Sequence, residues 1–348
     1  TWTKNTISNN GRNGINVFGR HGLYDEATGI RTPLQIGLEG IDPADELSRG
    51  NVFQGNALQG MLVNLTFTNS NGDLGFTNNL VTENRGGGVR ILSNEENVAI
   101  KNNRIVANQG IGLNLVSTGG SVYNATVRDN LITGQTNIAG GNNGDGVEIT
   151  SLGFQTTSVL MLNNFIDSNA GRGIDVLNAG GSNNTGPTLQ LQIGDGTVAG
   201  MNTVVSNALE GIYVVNSSDG AQSQNVAAGV AMQAAGDVFA RPDMMLNVDG
   251  NIISSNGGSS GFNGTGLILR VGTSGSDGNT AATPGFVGSN SGDPNAGNGR
   301  VNSRVTNNFF EGNFGNDFFV APYLSTGPGA SGGAWDTNGA NVAGLQRD

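Results

Sequence analysis

Two carboxylates, Glu148 and Asp175, occupy the same place in two successive occurrences of one repeated phrase. If the phrase folds into neighbouring strands, their Cα atoms stand about 5 Å apart. Like charges at that separation repel by about 1 kcal/mol in water and about 3 kcal/mol at an effective dielectric of 20. Such a pair either shares a proton, raising one pKa, or holds a cation, for which calcium is the candidate. The spacing also matches the separation of about 5–5.5 Å in retaining glycosidases. The same register places Arg90 and Asn114 before the pair and Tyr213 after it. Arg90 could clamp an acidic sugar's carboxylate through two hydrogen bonds, and Tyr213 could stack on a ring or move a proton. Arg172 is the other guanidinium within reach. The candidate catalytic residues are therefore Glu148, Asp175 and Arg90, and the candidate substrate contacts are Asn114, Tyr213 and Arg172. Glu148 and Asp175 double as candidate calcium ligands. The competing reading is that an exposed strip must simply be polar, because such carboxylates mark sites only statistically.

What must position these residues is a thirteen-residue phrase that returns nine times, starting at Asn5, Asn51, Asn79, Asn103, Asn130, Asn164, Asn202, Asn251 and Asn308. Two residues on, every copy is apolar, from Ile7 and Phe53 through Ile105, Ile132 and Ile166 to Phe310. Five residues on stands Asn, with Gln135 the one substitute. Each copy closes on an apolar pair such as Leu113/Leu115 or Ile174/Val176, and Gly precedes that pair in every copy but the last, which has Asp317. The closing pair alternates with the period of a strand. Asn and Gly between the apolar positions read as bends, since both tolerate positive φ. A further apolar run precedes most copies, as at Val98–Ile100 and Val159–Leu162. Each unit is thus strand, bend, strand, bend, strand, and the tightest spacing, Asn79 to Asn103, suffices for one turn of a wide coil. Nine coils stacked through their strands make a rod on the order of 40 Å long. No single coil could bury its apolar face alone.

The N-N-x-I-x-x-N-x-G-x-G-I-x-V phrase, seen in residues 102–115 and 163–176, resembles the right-handed parallel β-helix of the pectate-lyase-like superfamily, in particular its broad class of carbohydrate-binding proteins and sugar hydrolases. That resemblance implies an all-β, single-stranded solenoid over 1–324, with a Gly-rich cap or linker at 325–348. It also implies right-handed crossovers and, in the lyases, chemistry on an outward strip of one parallel sheet. The strip here runs Asn16, Leu62, Arg90, Asn114, Glu148, Asp175, Tyr213, Ile268, Phe319. Departures from the repeat at 18–49, 177–199, 215–245 and 270–300 would leave from related bends and could wall a groove beside it. Residues 226–238 could form a short helix, and 273–299 read as a loop. Phe309, Phe310, Phe314, Phe318, Phe319 and Tyr323 in the last copy read as a plug that closes the apolar column. Arg20-His21-Gly22 resembles a stretch of chondroitinase B-like and alginate lyases, but lacks the lysine-bearing coils that precede it there.

Composition narrows the function classes. A net charge of −11 argues against nucleic acid and anionic membrane surfaces and favours cations. One His and no Cys exclude imidazole clusters, thiolate metal sites and disulfides. The calcium-like segment Gly141–Val147 occurs once, whereas such sites need stacked copies. No run of 18 apolar residues suggests a membrane span. The chain opens mid-phrase, which reads as a piece of a longer, secreted or cell-surface bacterial protein. Two functions follow: a non-catalytic module beside neighbouring domains that contacts polysaccharide or a surface glycan, or a polysaccharide lyase, epimerase or glycoside hydrolase working along the strip. The scarcity of Lys, Arg, His and Tyr favours the first.

Overall fold

In a computed structural model of the chain, the residues described are 1–18, 23–25, 30–32, 34–38, 50–65, 72–93, 96–117, 123–138, 144–152, 156–179, 188–217, 243–257, 264–271 and 300–322. They form three parallel sheets wound as one coil, of eight, nine and nine strands. One turn runs through a first-sheet strand (Glu96–Lys101), a second-sheet strand (Arg104–Val106) and a third-sheet strand (Leu113–Ser117), and the next turn repeats the order. Every repeated phrase aligns in register: Ile105 pairs with Val81 on one side and Ile132 on the other, and Ile132 pairs with Ile166. All three isoleucines are fully buried, within one continuous apolar core. Burying an Ile or Val side chain contributes about 1.5–3 kcal/mol, and no coil achieves this without neighbours.

The bends work differently from the expectation. All twelve non-Gly residues with positive φ among those described, from Lys4 to Asn307, directly precede a repeat Asn or Gln. The repeat Asn itself turns inward. The main-chain N–H and Nδ2 of Asn79 both donate to Asn103 Oδ1, at 2.9 and 3.1 Å, and Nδ2 also donates to the Ile36 carbonyl at 3.0 Å. Each Asn therefore ties its own coil to the one before and the one after. Two such ladders run the rod, from Asn5 to Asn308 and from Asn10 to Asn313. Buried amides need every partner they can reach, and a short carboxamide at each bend satisfies three levels at once.

Two expected departures are smaller than the sequence suggested. The stretch 177–199 contains the first-sheet strand Thr188–Ile193, and 18–49 contains Leu34–Ile36 in the same sheet. Leu189, Leu191 and Ile193 alternate with Gln190 and Gln192, so no continuous apolar run advertised that strand. The first departure also carries an antiparallel pair, Leu23–Asp25 with Ile30–Thr32. The aromatic plug is only partial. Phe310 and Phe318 continue the inward columns, whereas Phe309, Phe314 and Phe319 face outward and are exposed. Arg20-His21-Gly22, Tyr323, the helix expected at 226–238, the loop at 273–299 and the tail at 325–348 lie outside the described residues. No helix among the described residues is long and apolar enough to cross a membrane.

Candidate functional site

The outward column of the third sheet has the expected register. Arg90 pairs with Asn114, Asn114 with Glu148, Glu148 with Asp175, Asp175 with Tyr213, and Tyr213 with Ile268. The strip does not, however, lie open to solvent. Glu148 is 4% exposed, Asn114 6% and Tyr213 9%. The column beside it on the same face is also buried and mostly apolar: Leu92, Val116, Thr150, Leu177 and Val215. Leu177, Tyr213, Val215 and Ile268 form a second apolar cluster on this outer face. The idea that the strip is polar merely because it meets water is thereby set aside.

A second column meets the first, one residue before the repeat Gly, where Asp145, Arg172 and Glu210 stand in successive coils. The Gly146 N–H donates to the Arg172 carbonyl and the Gly173 N–H to that of Glu210, which fixes the alignment. Arg172 is the hub. Its Nη1 donates to Asp175 Oδ2 at 2.9 Å and its Nε to Glu210 Oε2 at 2.9 Å. Its guanidinium carbon lies 3.9 Å from the centre of the Tyr213 ring, a cation–π contact. Its main-chain N–H donates to Asp145 Oδ1 at 2.6 Å. Gly171 leaves room for that carboxyl, since a Cβ there would come within 2.1 Å of Asp145 Oδ1. The sequence reading found Arg172 but missed Asp145 and Glu210. Aligning the nine copies one residue earlier would have revealed a minus–plus–minus triplet.

Asp175, a candidate calcium ligand, is thus paired with a guanidinium. Among the described residues, no group of three or more His, Asp or Glu side chains converges to hold a metal ion. Burial governs the electrostatics. It pushes the Glu148 carboxyl up to about 8, with Asp175 and Asp145 adding to the rise and Arg90 opposing it. Burial also lifts Asp145 to about 7, helped by Asp175 and opposed by Arg172. Asp175 is raised by burial too, against the pull of Arg172. Burial would lower Arg172, but Asp175, Glu210 and Asp145 more than reverse that. Arg90 is lowered by burial, with Glu148 resisting. Four carboxyls thus face two guanidiniums, and burial favours the protonated forms of Glu148 and Asp145.

Glu148 Oε1 accepts from Asn114 Nδ2 at 3.3 Å and from Thr150 Oγ1 at 3.4 Å. Arg90 Nε, Asn114 Oδ1 and Asp145 Oδ2 are buried without a hydrogen-bond partner. Chemically, Glu148 is a proton donor near neutrality, and Asp175 is held in place by Arg172. That division of roles resembles an acid and its partner, but Glu148 is buried and Asp175 is engaged by Arg172.

No curated protein and no solved structure matches the chain. The family described as the right handed beta helix region matches residues 1–186. The three parallel sheets and the in-register core fit that description and the pectate-lyase-like superfamily that the phrase resembles. Because the match spans more than half of the 348 residues, the chain belongs to the right handed beta helix region family.

Proposed function

We propose that this chain is a non-catalytic β-helical module of a larger secreted or cell-surface bacterial protein, contacting polysaccharide through the amide-bearing outer face of its first sheet. The observation that carries this reading is the burial of Glu148 and Asn114 together with the engagement of Asp175 by Arg172. The buried Glu148 is closed to a polymer, and the ion network around Arg172 reads as part of the scaffold. The outer face of the first sheet is more suitable. It presents the exposed amides Asn97, Asn124, Gln190 and Asn302 in one column, with Ser158 and the exposed Met245 between them and Arg128 and Arg304 on the same face. Asn124 Nδ2 donates to Asn97 Oδ1 at 3.0 Å. Amide side chains one strand apart offer both donors and acceptors to sugar hydroxyls.

Glycan-array binding without turnover is the expected result, weakened by joint Asn124→Ala and Gln190→Ala. Absorbance of unsaturated products from pectate, alginate or chondroitin would count against it. A second reading, in which Glu148 serves as the general acid of a lyase or hydrolase, is favoured by its raised pKa alone. Product formation abolished by Glu148→Gln or Arg90→Ala would establish that reading in place of the first.

A further inference from the structure

The outer face of the first sheet narrows the choice of glycan. Its amide column crosses consecutive strands in register: Asn97, Asn124, Ser158, Gln190, Met245 and Asn302. Strands about 4.8 Å apart make that a row of about 24 Å. An extended chain of pyranoses joined through equatorial oxygens advances by a comparable step per sugar, so successive sugars meet successive strands. A helical glucan does not keep that step. In the neighbouring column the small, partly buried Ala99 and Thr126 leave a shallow trough between the amides and the longer Lys101 and Arg128.

Charge separates acidic from neutral polymers. Arg128 Nε lies 3.1 Å from Asp129 Oδ2, and Arg304 Nη2 lies 3.8 Å from Asp249 Oδ2. Lys101, in register with Arg128, is engaged as well. Asp73 precedes Asn97 in the amide column. Exposed pairs of this kind add little stability, but each guanidinium brings its own counter-charge, and the chain carries a net charge of −11. An acidic polymer would have to displace those carboxylates and then face them at close range.

A hydroxyl meets no such obstacle. Amides and hydroxyls each donate and accept. The bond from Asn124 Nδ2 to Asn97 Oδ1 orients both amides before a sugar arrives. Met245 is exposed and Leu160 partly so, and both offer apolar contact to the C–H faces of sugar rings.

We propose that the glycan taken by this face is uncharged and extended: a β-1,4-linked polymer without carboxylate or sulfate groups, lying along the rod across these strands. The proposal rests on the reading that the first sheet contacts polysaccharide. The test is affinity electrophoresis of the full chain in gels containing glucomannan, arabinoxylan, amylose, pectate or alginate, at about 0.05 and 0.5 M salt. Glucomannan or arabinoxylan should retard the chain equally at both salt concentrations, and the other three should not. Joint Asn124→Ala and Gln190→Ala, both at exposed positions, should weaken that retardation about tenfold with the melting temperature unchanged. Joint Arg128→Gln and Arg304→Gln should leave it intact. Retardation by pectate or alginate that salt and the Asn124/Gln190 variant both weaken would overturn the proposal while the first-sheet reading stands. Amylose as effective as glucomannan would likewise overturn the extended chain alone. Retardation indifferent to the Asn124/Gln190 variant, or none by any polymer, would overturn both.

Discussion

Raising the pH from 5 to 9 should destabilise this protein, because the folded chain holds two protons that the unfolded chain releases earlier. Glu148 moves from 4.5 to about 8 on folding and Asp145 from 3.8 to about 7, both mainly through burial. Between those values the folded state binds more protons, so stability is full below about pH 4 and falls as pH rises through 7 and 8. At 1.36 kcal/mol per pKa unit, ionising Glu148 costs on the order of 5 kcal/mol and Asp145 a similar amount. Even half of the sum is comparable with a typical domain's entire stability of about 5–15 kcal/mol. The measurement is urea denaturation at half-unit pH steps for the unaltered chain and for Glu148→Gln. The Gln variant cannot ionise there, so it should lose about half of the pH dependence and become the more stable form at pH 9. A flat profile from pH 5 to 9, or a Gln variant with an undiminished slope, would refute the burial and pairing described here.

Arg172→Ala leaves the buried Glu210 and the partly exposed Asp175 without their shared cation, so denaturation should report a loss of about 3 kcal/mol. Gly173→Ala forces a Cβ to within 2.6 Å of the Gly211 carbonyl oxygen and should cost about 1–3 kcal/mol. Gly11→Ala, with nothing within 4 Å, should leave the melting temperature unchanged. Asn103→Ala breaks the bonds to Phe76 and Asn130 and those received from Asn79. A loss on the order of 2–3 kcal/mol should follow, with faster hydrogen exchange at the Asn79 amide.

Much of the architecture was legible because a stacked coil writes its register directly into the chain. Ile105, Ile132 and Ile166 share a column in the sequence and share it in space. The Arg90–Tyr213 strip was legible for the same reason. The ladder role of Asn was not, because a bend residue and an inward-stacked amide have the same spacing. The distinction lies in φ, which is positive at Ala107 and at the other residues just before the ladder Asn. Asp145 and Glu210 were missed because each occurs once in a variable column, where periodicity carries no weight.

By itself the sequence determined the number of coils, the faces of each strand and which side chains would lie above one another, since translation along the rod maps equal positions onto equal positions. Only the tertiary structure decided that Glu148 and Asn114 are buried, that Arg172 pairs with Asp175, and that burial holds the proton on Glu148 near neutrality. Those properties depend on the dielectric surroundings and on contacts between two columns offset by three residues. No repeat period records either one.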